Sequence, residues 1–440
     1  VILSSLDRYD MVIRKAFRFR LEPDETQQAL LHQFCGQARF VWNKALELQQ
    51  RRLERGVPLL RYGDLAKYLT LWRDSEEYGF LRQGSVHTQQ QALKRLDQAL
   101  WEGLDRSNPK GFPGFRKRGV HDSLRYPDPK QIKLDLSGWD EAGRRRLPKI
   151  FLPKVGWVKF RNSREIEGTI KNATVTRRAG HWYVSLQVEV EQTPALPPLK
   201  VTALDLGVRN LVTLVDGTQI DPLSPLRRFE EKLAWEQRKL SRKKTFSRNW
   251  YKQKQRLARL HGRIANIRRD VLQKLTTWLC KNHAVIVVED LKIRNMTQRT
   301  KGTLEAPGTN ARAKAGLNKS ILDRGWGMLV EMLGYKLAWR YGLLMKVGPR
   351  NTSRRCPRCG HTDRANRPDQ STFRCVECGF ATHADQVGAY NILSRGMEKL
   401  RDEGRDTADA SVGWLEALLS SHSPDRLFAE VFGEPGLSPV

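Results

Sequence analysis

Four cysteines fall in two pairs of equal spacing, Cys356-Pro-Arg-Cys359 and Cys375-Val-Glu-Cys378, with 15 residues between the pairs. Two such knuckles at this separation suit one tetrahedral ion held by four thiolates, with Zn²⁺ the usual choice. Four thiolates leave no open position for a substrate, so the expected role is structural. Three acidic residues stand out for a different reason. Asp205 lies near the end of the apolar run 201–206, Glu289 closes the β-branched run 285–288, and Asp385 precedes the apolar turn that begins at Asn391. A carboxylate in a buried strand is costly unless it is solvated, paired or bound to a cation. Three carboxylates that converged on one edge of a mixed sheet would repel one another, and divalent metal is the usual remedy. Hard oxygen donors favour Mg²⁺ or Mn²⁺. With a phosphodiester as substrate, two such ions about 4 Å apart would activate a water and stabilise the leaving oxygen. Taken alone, Asp205 suits equally well a cap on the turn at Gly207 and Val208.

These residues need elements to hold them. The runs 201–206 and 211–215, joined by turn residues 207–210 and followed by Asp216-Gly217, predict a hairpin with Asp205 at its mouth. HAVIVVEDLKIRNM, 283–296, predicts a buried strand with Glu289 and Asp290 at its carboxyl end. Residues 294–320, rich in Gly, Asn, Thr and cations, predict a mobile loop. Ser320-Ile-Leu-Asp323 resembles a capping box, with Asp in place of Glu, and predicts a helix through Met328, Leu329, Met332, Leu333, Leu337 and Trp339.

Upstream, residues 11–21 alternate apolar and basic side chains and predict a strand, with Met11 the start of folded sequence. A helical period takes over from Thr26, with Asp24 and Thr26 as candidate caps, and further helices are predicted at 62–74 and 86–105. Residues 144–192 break into short strands, as in a small β-barrel that residues 11–21 could close around the inserted helices.

Composition narrows the partner. Lys and Arg total 78 against 48 Asp and Glu, a net charge of +30 that points to a polyanion, with nucleic acid the first candidate. No apolar run approaches a membrane span and the amino terminus lacks a signal-peptide layout, so the expected location is the cytoplasm. Residues 227–274 hold 17 Lys or Arg against 4 acids and predict a helical hairpin whose cations, among them Arg238, Lys239, Arg242, Lys243 and Lys244, suit a phosphate backbone. In GFPGFRKRG, 111–119, Phe112 and Phe115 could stack on bases while Arg116, Lys117 and Arg118 meet phosphates, or the two rings could plug a core beneath a basic loop. From Met397 the sign reverses, with 9 acids against 4 bases, predicting a poorly ordered tail.

LDLGVRNLVTL at 204–214, VVEDLKIRNM at 287–296, the two cysteine knuckles and ADQVGAYNIL at 384–393 resemble, in order, the split nuclease domain and zinc ribbon of the TnpB family, RNA-guided nucleases of insertion sequences related to type V CRISPR effectors. RKAFRFRLEP, GQARFVWN, GFPGFRKR, LPKVGWVKFR and NKSILDRGWG extend the likeness over roughly 11–396. The resemblance implies a multidomain α/β protein: an RNase H-like (RuvC) nuclease domain at 197–350 and 380–396, with a zinc ribbon inserted at 351–379. It also implies a small β-barrel (wedge) domain at 11–23 and 125–196, with a helical recognition domain inserted at 24–124. Residues 1–10 are then an amino-terminal extension and 397–440 the acidic tail.

The resemblance further implies that Asp205, Glu289 and Asp385 are catalytic metal ligands. The cofactors it implies are Mg²⁺ or Mn²⁺, one structural Zn²⁺ and a guide RNA from the transposon end; the target is double-stranded DNA. Tyr62 and Gln90 are, by position, candidates for reading a short DNA motif beside the target. Val387-Gly388-Ala389 stands where many relatives carry Asn-Ala-Ala, and Gln273-Lys274 where many carry His-Lys. A guided repressor without cleavage, a transposase acting without a guide and a miniature CRISPR effector are the competing functions; presence of all three carboxylates disfavours the first.

Overall fold

The computed structural model of this chain describes residues 11–105, 107–108, 110–120, 122–138, 146–192, 198–222, 224–298, 309–405 and 424–432. Residues 1–10, named above as an extension, lie outside them, and the chain divides into two compact units, Val1–Thr193 and Pro194–Val440.

In the first unit β1 (Met11–Glu22) leads into α1 (Glu25–Glu54), α2 (Tyr62–Asp74) and α3 (Val86–Leu104). Six strands follow: β2 (Ser123–Tyr126), β3 (Lys133–Asp135), β4 (Lys149–Leu152), β5 (Gly156–Arg161), β6 (Thr169–Arg178) and β7 (His181–Gln192). Asp24, rather than Thr26, caps α1. Its carboxylate accepts the Gln27 N–H at 2.8 Å while the Gln27 side chain accepts the Asp24 N–H at 3.2 Å, a reciprocal pair that satisfies two orphan donors. The strands form one antiparallel sheet in the order β2-β6-β7-β1-β5-β4-β3.

β1 therefore runs through the middle of the sheet. Eleven of its residues pair with β7 and its last three with β5, so a long alternating strand gains partners on both sides. The edge strands β2 and β3 are not paired to each other among the described residues. Phe19, Phe160, Val184 and Leu186 form the buried side of this sheet together with Leu31 and Phe34 of α1. A second core holds the helices to one another through Trp42, Leu46, Leu65, Leu69, Leu93 and Leu96.

The second unit opens with β8 (Val201–Asp205), β9 (Val212–Leu214) and β10 (Gln219–Ile220), continues through α4 (Pro225–Arg228), α5 (Glu230–Ser241) and α6 (Arg248–Asn282), and reaches β11 (Val285–Glu289). Then come α7 (Ile293–Met296), α8 (Ala311–Arg324), α9 (Trp326–Ala338), β12 (Leu343–Val347), the ribbon strands β13 (Thr372–Arg374) and β14 (Ala381–His383), α10 (Ala384–Arg405) and α11 (Pro424–Phe432). The main sheet has the order β10-β9-β8-β11-β12, with β8, β11 and β12 parallel and β8-β9-β10 antiparallel. The four residues before Glu289 are fully buried, as expected of a strand covered on both faces. Among the described residues no helix is long and apolar enough to cross a membrane.

The stretch 294–320 is not a continuous loop, because α7 and the first ten residues of α8 lie in it; residues 299–308 fall outside the described set. Nor does Ser320 open a helix. Asp323, the partner proposed for that cap, is buried and receives the Arg268 guanidinium and the Leu226 N–H, so tertiary partners override the local motif. α8 instead ends at Gly325, whose φ of +71° is the left-handed conformation that stops helices, and α9 starts at the next residue. The acidic tail is also more structured than its composition suggests: α10 runs to Arg405 and α11 is helical, while 406–423 and 433–440 lie outside the described residues.

Candidate active site and metal centre

Parallel pairing sets the first two carboxylates side by side. Val285 to Val288 of β11 oppose Val201 to Leu204 of β8, so the next residues, Glu289 and Asp205, close adjacent strands at the same end of the sheet. Asp385, the second residue of α10, completes the group. Burial and the negative charges of Glu289 and Asp385 push the Asp205 carboxyl up to about 7, against the opposing pull of Arg367. Burial also raises Glu289, while the Thr352 hydroxyl, donating to it at 2.6 Å, and the Arg395 charge pull the other way. The three groups are less tightly gathered than the cysteines: the four sulfurs alone, among the described residues, form a cluster with all ligand atoms within 4.8 Å.

Several residues that sequence reasoning missed shape this site. Arg367 donates from Nη2 to the Gln370 carbonyl at 2.8 Å and lies 3.4 Å from Asp385 Oδ1. Asn391, buried about two turns along α10, donates to the carbonyls of Thr352 and Arg355 at 2.7 and 2.8 Å. Thr352 thus stands between α10 and Glu289. Gly388 has its missing Cβ replaced by the Asp205 carboxylate, whose Oδ2 sits 2.9 Å from where that carbon would be. The turn after Asp205 is braced by Arg324, which donates to the Val208 carbonyl at 2.7 and 3.0 Å and to Ser224 at 2.7 Å. Beside β11 a cleft of about 560 Å³ carries Lys292, Lys346 and Lys399, with Asp290 as its acid. NKSILDRGWG held the signal for Arg324, but no local pattern announced Arg367 or Thr352.

The ribbon centre is local. Cys356 and Cys378 sulfurs are 3.6 Å apart, as are those of Cys359 and Cys375. Gly360 and Gly379, with φ of +76° and +70°, turn the chain back so that their N–H groups donate to the carbonyls of Cys356 and Cys375 at 3.0 Å. Burial lifts the Cys356 thiol to about 12; for Cys375 burial also acts upward, but N–H groups of Cys378 and Glu377 bring it down to about 7. The donor set is all sulfur, soft, and ready for one tetrahedral ion.

The proposed nucleic-acid residues are placed as follows. Tyr62 begins α2 with Lys94 of α3 4.9 Å above its ring, and Gln90 lies one turn before Lys94. Its neighbour Gln89 is buried, bonded to Arg73, Gln37 and the Leu81 carbonyl, and so belongs to the core and not to a solvated face. The 111–119 loop is tied to α1: Asn43 bonds both backbone groups of Arg116, and Trp42 donates to the Gly114 carbonyl at 3.1 Å. Phe112 and Phe115 are 37% and 51% exposed, which removes the reading of a buried plug. Arg116 stacks 3.4 Å over Trp42 and is brought down to about 10 by burial and by Arg95, whereas Lys117 and Arg118 are exposed. Arg238, Arg242 and Lys244 are exposed around the α5–α6 turn, Lys243 is half-buried, and Lys239 lies over the ring of Trp235.

Family models match three parts of the chain: the OrfB family of IS605, described as a "probable transposase", at 185–300; a Cas12f1-like TNB domain at 326–392; and an OrfB helix-turn-helix domain at 11–57. The last description does not fit the structure, where that span is one strand and one continuous helix, α1. InsQ of Escherichia coli (strain K12), provisionally named an RNA-guided DNA endonuclease, is 45% identical over 87% of this chain and 92% of its own length. A Streptomyces pristinaespiralis protein with the same provisional name is 33% identical over 88% of this chain and 90% of its own. The chain belongs to the TnpB family, the OrfB proteins of IS605-type elements. The solved structure of the mini-RNA-guided endonuclease CRISPR-Cas_phi3 aligns with 90% of this chain and 94% of its own at 12% identity, with a TM-score of 0.48, too low to define shared geometry.

Proposed function

We propose that this protein is an RNA-guided DNA endonuclease carried by a transposable element. An RNA from the transposon end pairs with one strand of a double-stranded DNA target, and the protein cuts that DNA beside a short flanking motif. The observation that carries this reading is the meeting of Asp205, Glu289 and Asp385 at one end of parallel strands, in a chain of net charge +30. The names borne by InsQ and the Streptomyces relative support it. The order β10-β9-β8-β11-β12 supports an RNase H-like (RuvC) nuclease, with the ribbon inserted before α10. The antiparallel sheet with helices between β1 and β2 supports a wedge and an inserted recognition domain.

The carboxylates fit a hard divalent cation, since three mutually repelling oxygen donors against two nearby cations, Arg367 and Arg395, leave negative charge uncompensated. Mg²⁺ or Mn²⁺ there would lower the pKa of an attacking water and stabilise the leaving oxygen. Asp205 takes the central position against Gly388, Thr352 fixes the Glu289 carboxylate, and Arg367 orients Asp385. The cysteines fit Zn²⁺: with Zn–S bonds of about 2.3 Å a tetrahedron has edges near 3.8 Å, close to the 3.6 Å separations seen. The basic α5–α6 hairpin and Arg116, Lys117 and Arg118 hold RNA and heteroduplex by backbone and shape. Tyr62 and Gln90, beside Lys94, read the flanking motif.

The protein, purified with its RNA, is expected to cut DNA that matches the RNA and carries the motif, and reprogramming the RNA should move the cut. Equal cutting by RNA-free protein would overturn the reading in favour of a transposase.

A further inference from the structure

The turn between α5 and α6 and the first residues of α6 carry three aromatic residues that neither the nuclease chemistry nor phosphate binding uses. Phe246 is 73% exposed and Tyr251 54%, and the centroids of Phe246, Trp250 and Tyr251 lie 5.1 to 6.5 Å apart. Phe246 stands in the left-handed region at φ +65°, a conformation uncommon for a bulky residue, which aims its ring into solvent. Ser247 caps α6 by accepting the Trp250 N–H at 3.1 Å, which holds the first turn, and so the ring spacing, in place. The surroundings are cationic. Residues 235–256 contain nine Lys or Arg against one acid, Glu236, and Lys254 lies 4.7 Å over Trp250. Glu236 itself is taken up by the buried Gln253 side chain.

A contiguous cluster of exposed aromatic rings, unlike a single one, marks a binding surface. Ringed by cations, it is poorly suited to an apolar protein partner and to a second copy of this chain, whose matching face would carry the same charge. Unpaired nucleotides satisfy both features at once, because every base has a face to stack and every nucleotide a phosphate to neutralise. A duplex offers the phosphates but keeps its base faces stacked internally. We infer that Phe246, Trp250 and Tyr251 form a stacking platform for unpaired bases of the bound RNA, so that the α5–α6 turn selects a single-stranded segment and not a helical one. The inference rests on the RNA-guided reading and deepens it, by assigning a strandedness to the ligand of the hairpin.

The test uses the full-length protein, freed of copurified RNA, with two probes of equal length: oligouridine and a blunt RNA duplex. Phe246→Ala with Tyr251→Ala, both at exposed positions, is expected to weaken oligouridine binding by about ten-fold or more, to change duplex binding by less than about two-fold, and to leave the salt slope unaltered because no cation is removed. Photocrosslinked oligouridine should map to 246–251. Equal weakening toward both probes, or none, overturns the platform, as does a concentration-dependent dimer that the double variant abolishes. If the wild-type protein binds neither RNA, the RNA-guided reading fails; if it binds both and the variant binds both equally, the platform alone fails.

Discussion

The ribbon and the carboxylate cluster lean on the same helix, α10, yet they are built by opposite means. In the ribbon all four donors come from one stretch, 356–378, and share a small core of Phe373, Ala384 and Val387. Its geometry is fixed by two glycine turns and a three-residue hairpin. The carboxylates come from two strand ends and a helix start, 84 and 96 residues apart, and their positions depend on the pairing of β8 with β11 and on α10 docking against them. An ion held by the four cysteines would contribute to folding. The carboxylate cluster opposes folding until its charge is compensated, as the raised Asp205 carboxyl shows. On the proposed reading the local centre is structural and the distributed one catalytic, its uncompensated charge being what would attract reactive cations.

The sharpest break in this comparison is functional. Asp205→Ala, Glu289→Ala or Asp385→Ala should each lower DNA cleavage by at least about 10³-fold, a rise of about 4 kcal/mol in the activation barrier, while the complex still binds its target. Substantial cutting by any one variant removes that residue from the site and divides the cluster. The ribbon should respond in the other currency: Cys356→Ser or Cys375→Ser is expected to cost about 3–5 kcal/mol of stability and to remove an ion measured at about one per chain in the wild type. Stable, active protein without zinc would show that the sulfur cluster does not need its metal.

Acidity separates the two regions next. The Asp205 carboxyl rises from its ordinary 3.8 to about 7 on folding, so the folded state binds the proton more tightly than the unfolded state. A raised carboxyl stabilises the fold fully below its unfolded value, and that contribution is lost as pH rises through its folded one. Without divalent cations the melting temperature should therefore fall between pH 4 and pH 7, by at most about 4 kcal/mol in stability. Mg²⁺ should restore it at pH 8 and do little at pH 5, and Asp205→Asn should flatten the profile. A melting temperature that climbs over that window would show that the three carboxylates do not share a field.

How much could be read from the chain follows the same division. The cysteine spacing, the hairpin at 201–215 and the helices at 62–74 and 86–105 are local patterns, and the structure contains these elements. The central place of β1 was not legible, because alternation says which face is buried and not which strands lie on either side. Asp323 shows the converse: a good local cap signal lost to Arg268, 55 residues away. Arg367 and Thr352 carry no signature at all, being ordinary loop residues until β11, α10 and the ribbon bring them to the carboxylates. Aromatic residues in the basic hairpin were visible as letters, but only their exposure and mutual spacing single them out.

A smaller effect tests how the cluster is held. Thr352→Val keeps the shape but removes the hydroxyl that donates to Glu289 at 2.6 Å. The loss of a hydrogen bond to a charged group, about 1.5–3 kcal/mol, should appear as slower cleavage with the zinc content unchanged, and Thr352→Ser should recover most of the rate. Equal rates for Val and Ser variants would mean that Glu289 is positioned by its strand alone.

The smallest expected effect concerns α11, the element that touches both regions. Phe428 and Phe432 pack on Phe380 of the ribbon at 5.8 and 5.3 Å and on Tyr390 of α10 at 5.9 and 5.2 Å. The Gln386 side chain, next to Asp385, donates to the Val431 carbonyl at 3.3 Å. Each aromatic pair contributes about 0.5–1.5 kcal/mol beyond simple burial, and both phenylalanines are only half-buried, so Phe428→Ala should lower the melting temperature by a few degrees. If α11 is a brace, the ribbon keeps its ion, cleavage at 25 °C stays within about two-fold because the carboxylates are set by β8, β11 and α10, and activity fails earlier on heating. If instead α11 fixes the start of α10 through Gln386, cleavage should fall by about ten-fold with little change in melting temperature. That second pattern would mean that the two regions share one support, and their separation into a local structural centre and a distributed catalytic one would not stand.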